Sequence, residues 1–308
     1  MHILAASNFR GQAMIRMTRR DAGKRLVAGV AGLAVAQTRL RGADWIDSVF
    51  AGVQIGAQSY SFRDRPLAEA IRGFQEVGLG ECELWEGHVE PQTRNFQELR
   101  QWRLTAPLSQ LHDVRRQFDD AGVKLYAFNY SFSKHMTDDE YDRGFQMAGA
   151  LGVKYITASS QVSIAHKVDE YAQKYKITVG FHGHDNTRNP DEFSTAETFA
   201  RAMEGASPYI GINLDIGHFV AAGGDPVAYI REHHERIVTL HIKDRKKDHG
   251  ANEPFGQGDT NIAGVLQLLR DNQYPIPANI EYEYGEGGHL DTIAEMKKCV
   301  AYCKAALV

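Results

Sequence analysis

From residue 53 onward, short runs of β-branched and aromatic residues alternate with longer segments whose apolar positions recur every three or four residues. The first pattern belongs to buried strands and the second to helices packed against a sheet. Strands are predicted at 53–60, 81–85, 124–129, 154–158, 177–182, 210–215, 238–241 and 278–283. Helices are predicted near 66–77, 107–121, 138–150, 163–175, 193–204, 225–235, 261–272 and 290–307. Gly78, Gly122 and Gly152 stand just before a strand, where a left-handed glycine ends a helix.

Strict strand-then-helix order without hairpin signals predicts a parallel sheet. Eight such units in 53–308 match one closed (β/α)8 barrel, and no Pro/Gly/Ser-rich linker divides them. An open doubly wound sheet would want a glycine-rich phosphate loop after its first strand; Gln58-Ser59-Tyr60-Ser61-Phe62 is not one. The predicted fold class is α/β, a single (β/α)8 TIM barrel.

The first 36 residues read differently. Arg19-Arg20 and Lys24-Arg25 precede a short, weakly apolar stretch that ends in Ala34-Val35-Ala36, a small-x-small cleavage site. The paired arginines resemble a twin-arginine export signal, which implies a periplasmic location and no membrane association once the signal is removed. Residues 37–52 are then a lead-in to the barrel. Removing 1–36 takes away six positive charges and one negative, so the remainder carries about −9 rather than −4. That balance gives no electrostatic footprint for nucleic acid. Three cysteines, Cys82, Cys299 and Cys303, are too few for a disulfide framework and read as packed small hydrophobes.

Chemistry in such a barrel sits at the C-terminal ends of the strands. The fifth strand ends Phe181-His182-Gly183-His184-Asp185, the sixth Asn213-Leu214-Asp215-Ile216-Gly217-His218, the seventh Leu240-His241-Ile242-Lys243 and the eighth Ile280-Glu281-Tyr282-Glu283. Four consecutive strands thus deliver imidazoles and carboxylates to one rim. That donor set suits one divalent ion, Mn, Zn, Co or Fe, and the absence of cysteine argues against a structural zinc knot. Asp215 has a second reading as the cap of the turn that follows it. Glu281 and Glu283 alternate with tyrosines and so share one side of their strand. Tyr60, Phe62 and Trp85 offer apolar faces for sugar rings.

In order, the segments FHGHDN, NLDIGH, LHIKDR, FGQGDTNI and IEYEY make the chain similar to the xylose-isomerase-like sugar phosphate isomerase/epimerase superfamily, over about residues 53–306. The resemblance implies a divalent metal held by Asp215, His241 and Glu281. The fourth ligand position is normally a glutamate; here it reads His182-Gly183-His184, so His182 takes that place and the paired-glutamate mechanism of the epimerases does not carry over intact. What it implies otherwise is an isomerase or epimerase acting on a small-molecule carbohydrate through an enediolate.

Glu281 or Glu283 is the candidate base, with His218, Lys243 and Glu86 as further catalytic candidates. Tyr60, Phe62, Trp85, His88 and His184 are the substrate-binding candidates. If a leaving group follows the proton, the enzyme is a lyase or hydratase on a keto-sugar or 3-keto-glycoside. A non-catalytic sugar-binding barrel is the rival from another class. Abasic-site endonuclease activity is disfavoured by the acidic charge. Homo-oligomerisation stays open.

Overall fold

The computed structural model describes residues 44–285 and 290–308. The leader at 1–36 and the first part of the 37–52 lead-in lie outside the described residues. Eight parallel strands follow: β1 (Val53–Gln58), β2 (Glu81–Leu84), β3 (Lys124–Asn129), β4 (Tyr155–Ala158), β5 (Thr178–His182), β6 (Ile210–Asp215), β7 (Ile237–Ile242) and β8 (Ala278–Ile280). Each pairs in parallel with its successor, and β8 returns to β1 through Ala278 opposite Ile55, which closes the barrel. This is the predicted (β/α)8 architecture, and all eight strands fall where the hydrophobic pattern put them.

Among the described residues ten helices surround the strands: α1 (Leu67–Val77), α2 (Phe96–Thr105), α3 (Ser109–Asp120), α4 (Asp138–Leu151), α5 (Ala165–Tyr175), α6 (Ala196–Met203), α7 (Ile216–Ala221), α8 (Pro226–His233), α9 (Ile262–Asn272) and α10 (Thr292–Ala306). Eight match the predicted helices; α2 and α7 are additions. Helix α2 is a mostly exposed insertion between β2 and α3, held at its start by Asn95, whose side chain accepts from the Gln97 and Glu98 amides. With only one fully buried residue, it lacks the apolar stripe by which a core-facing helix is recognised. Helix α7 is six residues long and begins at the metal-candidate Asp215 itself.

The expectation of no hairpin is corrected. Val49–Phe50 pairs antiparallel with Val53 and Gln54 across Ala51-Gly52, both with positive φ. A two-residue turn of that hand is the one that joins twisted antiparallel strands. A second antiparallel pair, Asp244–Arg245 with Asn252–Glu253, shapes the loop after β7.

The aliphatic core lies between strands and helices, whereas the inside of the barrel is polar. Gln58, Glu83, Asn129, Thr157, His182, Asn213, Thr239, His241 and Asn279 are all buried. Their partners are one another: Asn279 donates to Thr239 Oγ1 at 2.9 Å, and Gln58 Nε2 and Thr157 Oγ1 donate to Glu83 Oε1 at 2.8 and 2.6 Å. The network is not complete, since Asn213 Oδ1 and Asn279 Oδ1 are buried without a partner, so it has little tolerance for further unpaired groups. Gly56 makes room for it, since a Cβ there would lie 2.2 Å from Asn279 Oδ1 and 2.9 Å from the Glu81 carbonyl. Gly56→Ala is therefore expected to cost roughly 1–3 kcal/mol, read as a Tm several degrees lower; an unchanged Tm would show that the barrel interior can relax.

Candidate active site and metal centre

At the C-terminal rim the side chains of β5 to β8 converge. Asp215 sits at the end of β6 because its backbone both finishes the strand and caps α7: its Oδ1 accepts from the His218 amide at 2.7 Å. The capping and functional readings of this residue thus hold together, one on each oxygen. Asp215 Oδ2 faces inward, 3.0 Å from Lys243 Nζ, and forms no hydrogen bond of good geometry. Ligand atoms of His182, Asp215, His241 and Glu281 all lie within 4.8 Å of one another, and all four residues are buried. Of the two histidines on this segment, His182 enters the cluster; His184 lies outside it, paired through Nδ1 with Glu192 at 3.0 Å.

Lys243 occupies the centre of the charge. Its Nζ lies 3.0 Å from Asp215, 2.7 Å from Glu281 and 2.6 Å from Glu283, with His218 Nε2 at 3.1 Å. Burial lowers an ammonium pKa, but Asp215, Glu281 and Glu283 outweigh it and hold Lys243 above its usual range. Likewise burial raises Glu281, but Lys243 and His241 outweigh it and hold the carboxyl well below the usual range. Lysine is a buried cation here, not a surface one. Counting Glu83 and the His241 that it and Glu281 keep protonated, four carboxylates face two cations, which leaves two negative charges uncompensated in a site of low dielectric.

The site's chemistry fits a divalent cation. His182 is pushed well below the ordinary imidazole range by burial and by the His241 and His184 rings, so it is a neutral donor. Its Nδ1 is buried without a hydrogen-bond partner, as Asp215 Oδ2 is. An unpartnered imidazole nitrogen and a carboxylate oxygen whose near neighbour is the Lys243 ammonium, beside an excess of two negative charges, are what a divalent ion would satisfy. His182, Asp215, His241 and Glu281 would hold it.

His241 is oriented from beneath by a residue that the sequence reading passed over. Its Nε2 lies 2.9 Å from Glu83 Oε2, while Nδ1 faces Glu281 at 3.2 Å. Burial opposes protonation of His241, but Glu83 and Glu281 raise its pKa well above the ordinary range. A carboxylate behind a ligating imidazole fixes its tautomer and ring orientation. Glu83 was missed because ECELWE reads only as a strand; the signal was a glutamate at an inward position of a buried strand.

Above the cluster is a cavity of about 300 Å³ lined by Tyr60, Trp85, Glu86, His182, His184, His218, Lys243, Glu281 and Glu283, with Gln58, Asn129, Ser131 and Ser159. His218 is set by Lys243 on Nε2 and by Arg245 on Nδ1. Arg245 in turn pairs with Asp185 at 3.1 Å. Glu86 accepts from the Ser131 amide at 3.0 Å, and withdrawal from water together with the Glu90 carboxylate pushes its pKa up to about 7.

Two predicted substrate contacts are corrected. Phe62 is fully buried and packs on Phe74 with ring centroids 5.0 Å apart, because the turn after β1 directs it toward α1. His88 is held by Ser59 Oγ at 2.9 Å and the Arg65 carbonyl at 3.3 Å, and touches Trp85 rather than the cavity. Cys82, Cys299 and Cys303 are free and buried, as expected of packed thiols.

The pattern of the xylose isomerase-like TIM barrel matches residues 87–301. The chain belongs to that family. It is 28% identical over 127 residues to an inosose dehydratase of Clostridium tetani, covering 35% of this chain and 41% of that one. It is 34% identical over 115 residues to the rhizopine catabolism protein MocC of Rhizobium meliloti, covering 36% and 34%. These matches span less than half the length of either relative. Among solved structures, the probable 3-DHS dehydratase AsbF of Bacillus anthracis aligns with a TM-score of 0.61 at 17% identity, over 80% of this chain and 98% of that one. The IOLI protein, solved with a zinc atom, aligns at 0.62 and 14% identity, over 83% and 98%. At such identities the structural likeness speaks for the fold.

If Glu83 orients His241, Glu83→Gln lowers metal affinity by roughly 10–100-fold, measured by chelator competition on the purified protein. Affinity equal to the parent's would assign Glu83 to packing alone.

Proposed function

We propose that this enzyme removes the proton beside the carbonyl of a keto-sugar or keto-cyclitol and then expels a β-substituent, making it a lyase of the dehydratase kind. The observation that carries this reading is the disposition of two carboxyl groups on one cavity. Glu283 is a carboxylate beside Lys243 on the β7–β8 wall, and Glu86, with its pKa raised to about 7, stands after β2. Groups whose environments differ in this way divide the roles of base and acid. The bound divalent ion would supply Lewis-acid polarisation of the carbonyl, which makes the neighbouring C–H acidic.

The chain's own residues do the rest. Glu283, more exposed than Glu281 at 18% against 7%, takes the proton. The C–H electron pair becomes the new double bond, the C–O bond at the β carbon breaks, and Glu86 protonates the departing oxygen. Lys243 stays protonated and holds Glu281 and Glu283 in place. Tyr60 and Trp85, in edge contact at 5.0 Å, form the apolar side of the ring site. Among the described residues that line the cavity the one ammonium, Lys243, is committed to three carboxylates, which favours a substrate without phosphate. The relatives named as dehydratases support the lyase reading, and the basic leader supports an exported setting with unphosphorylated substrates.

Isomerisation or epimerisation is the second reading, favoured by His218 on the Lys243 wall as a further proton carrier. The replacement of a glutamate by His182 weighs against it, since epimerisation wants acid–base groups on both faces of the sugar.

The test is incubation of the metal-reconstituted protein with keto-inositol and 3-keto-glucose in heavy water. Loss of the proton signal next to the carbonyl together with a conjugated enone absorbance is expected. Exchange with an epimer and no enone would establish the second reading; no exchange at all would refute both. Glu86→Gln is expected to slow elimination about 10²–10⁴-fold and exchange much less. Because the raised pKa keeps Glu86 protonated up to about 7, turnover is predicted to fall as pH rises past that value. That limb should vanish in the variant; its persistence would place the acid elsewhere.

A further inference from the structure

A second cavity, about 470 Å³, adjoins the catalytic one and shares Glu86 and Ser131 with it. Its walls are of another kind. Phe96 and Leu99, one turn apart on α2, face it with Met136 from the loop after β3. Phe96 is 86% exposed, more than any other large apolar side chain described except the terminal Val308. Exposing a phenyl ring at the mouth of a cavity is unfavourable unless something apolar covers it.

The charged groups around this cavity are spent on each other. Arg103 is bidentate to Glu90 at 2.7 and 2.8 Å, and Arg100 pairs with Glu140 at 2.8 Å while donating to the His135 carbonyl at 3.0 Å. What remains on offer is a neutral, apolar pocket. Helix α2 that builds it is an insertion in the β2 loop, on the rim where barrel enzymes vary their substrate sites.

We propose that this pocket is an aglycone subsite and that the substrate is a keto-glycoside with an apolar, preferably aromatic, aglycone. The proposal rests on the elimination reading above and names its leaving group. The sugar ring fills the polar cavity, and the aglycone lies between Phe96 and Met136, so the glycosidic oxygen sits near Glu86 on the shared wall. Glu283 takes the proton from the carbon between the carbonyl and the glycosidic carbon. The C–H pair forms the new double bond, the glycosidic C–O bond breaks with its pair leaving on oxygen, and the Glu86 proton completes the free alcohol or phenol. The products are an enone sugar and the aglycone, with no external oxidant or reductant. A free keto-cyclitol has no group for this pocket and would leave it unused.

The test compares phenyl and methyl 3-keto-glucosides on the metal-reconstituted protein, in the parent and in Phe96→Ala with Leu99→Ala. The phenyl glycoside is expected to show the higher kcat/KM, and the double variant to reduce the phenyl-over-methyl ratio about tenfold. Phe96 is largely exposed and Leu99 partly so, so the variant keeps the fold. Equal turnover of the two glycosides, with a ratio the variant does not change, overturns the subsite and leaves elimination standing. So does dehydration of keto-inositol with neither glycoside accepted. A protein inert to all three substrates fails the elimination reading instead. A parallel titration with unoxidised phenyl glucoside then decides the pocket alone: a shifted Met136 methyl resonance, absent with methyl glucoside, supports it, and no shift overturns it.

Discussion

Asp215, Glu281 and Glu283 converge on one ammonium, Lys243, where it is almost completely buried. Carboxylates brought together out of water repel strongly unless a cation or a proton intervenes. Lys243 cancels one of the three charges, and the rest of the rim is arranged around the remaining two. His182 offers a neutral nitrogen with no other partner, and His241 presents the nitrogen that Glu83 does not hold. The arrangement makes sense as a receptacle for a divalent ion, whose binding would release the proton that Glu83 and Glu281 hold on His241.

That receptacle depends on what lies beneath it. Below the rim the barrel is filled by amides, hydroxyls and Glu83 rather than by the branched aliphatic layers usual in such a core. Gln58 and Thr157 spend their hydrogen bonds on one Glu83 oxygen, which leaves the other for His241. The orientation of one ligand on β7 is therefore set from β1, β2 and β4. The β7 loop is fixed in a similar way: Asp244 accepts from the amides of Gly256, Gly258 and Thr260, so the strand end that carries Lys243 cannot drift. Function at the rim and stability within the barrel are carried by the same hydrogen bonds.

Much of this was legible in the chain before any coordinates. The alternation of apolar runs and amphipathic stretches predicted eight strands and eight of the ten helices among the described residues, because parallel strands buried on both faces leave a strong signal. The polar ends of β5 to β8 pointed to a metal site at this rim, and the family resemblance singled out His182, Asp215, His241 and Glu281, which the fold draws into one cluster. What escaped has physical reasons. Helix α2 has no buried stripe, so periodicity is blind to it. Phe62 and Tyr60 look alike beside a strand end, and only the direction of the turn separates core from cavity. Glu83 acts across the barrel on His241, 158 residues away in sequence. No local pattern encodes such a contact.

The decisive measurement is the metal content of the purified protein by elemental analysis, before and after reconstitution, in the parent and in Asp215→Ala and His241→Ala. One Mn, Zn, Co or Fe ion per chain, lost in both variants, is the predicted result. A parent protein that stays metal-free after reconstitution would mean that Lys243 and bound protons balance the buried carboxylates by themselves, and the metal-assisted chemistry would have to be abandoned.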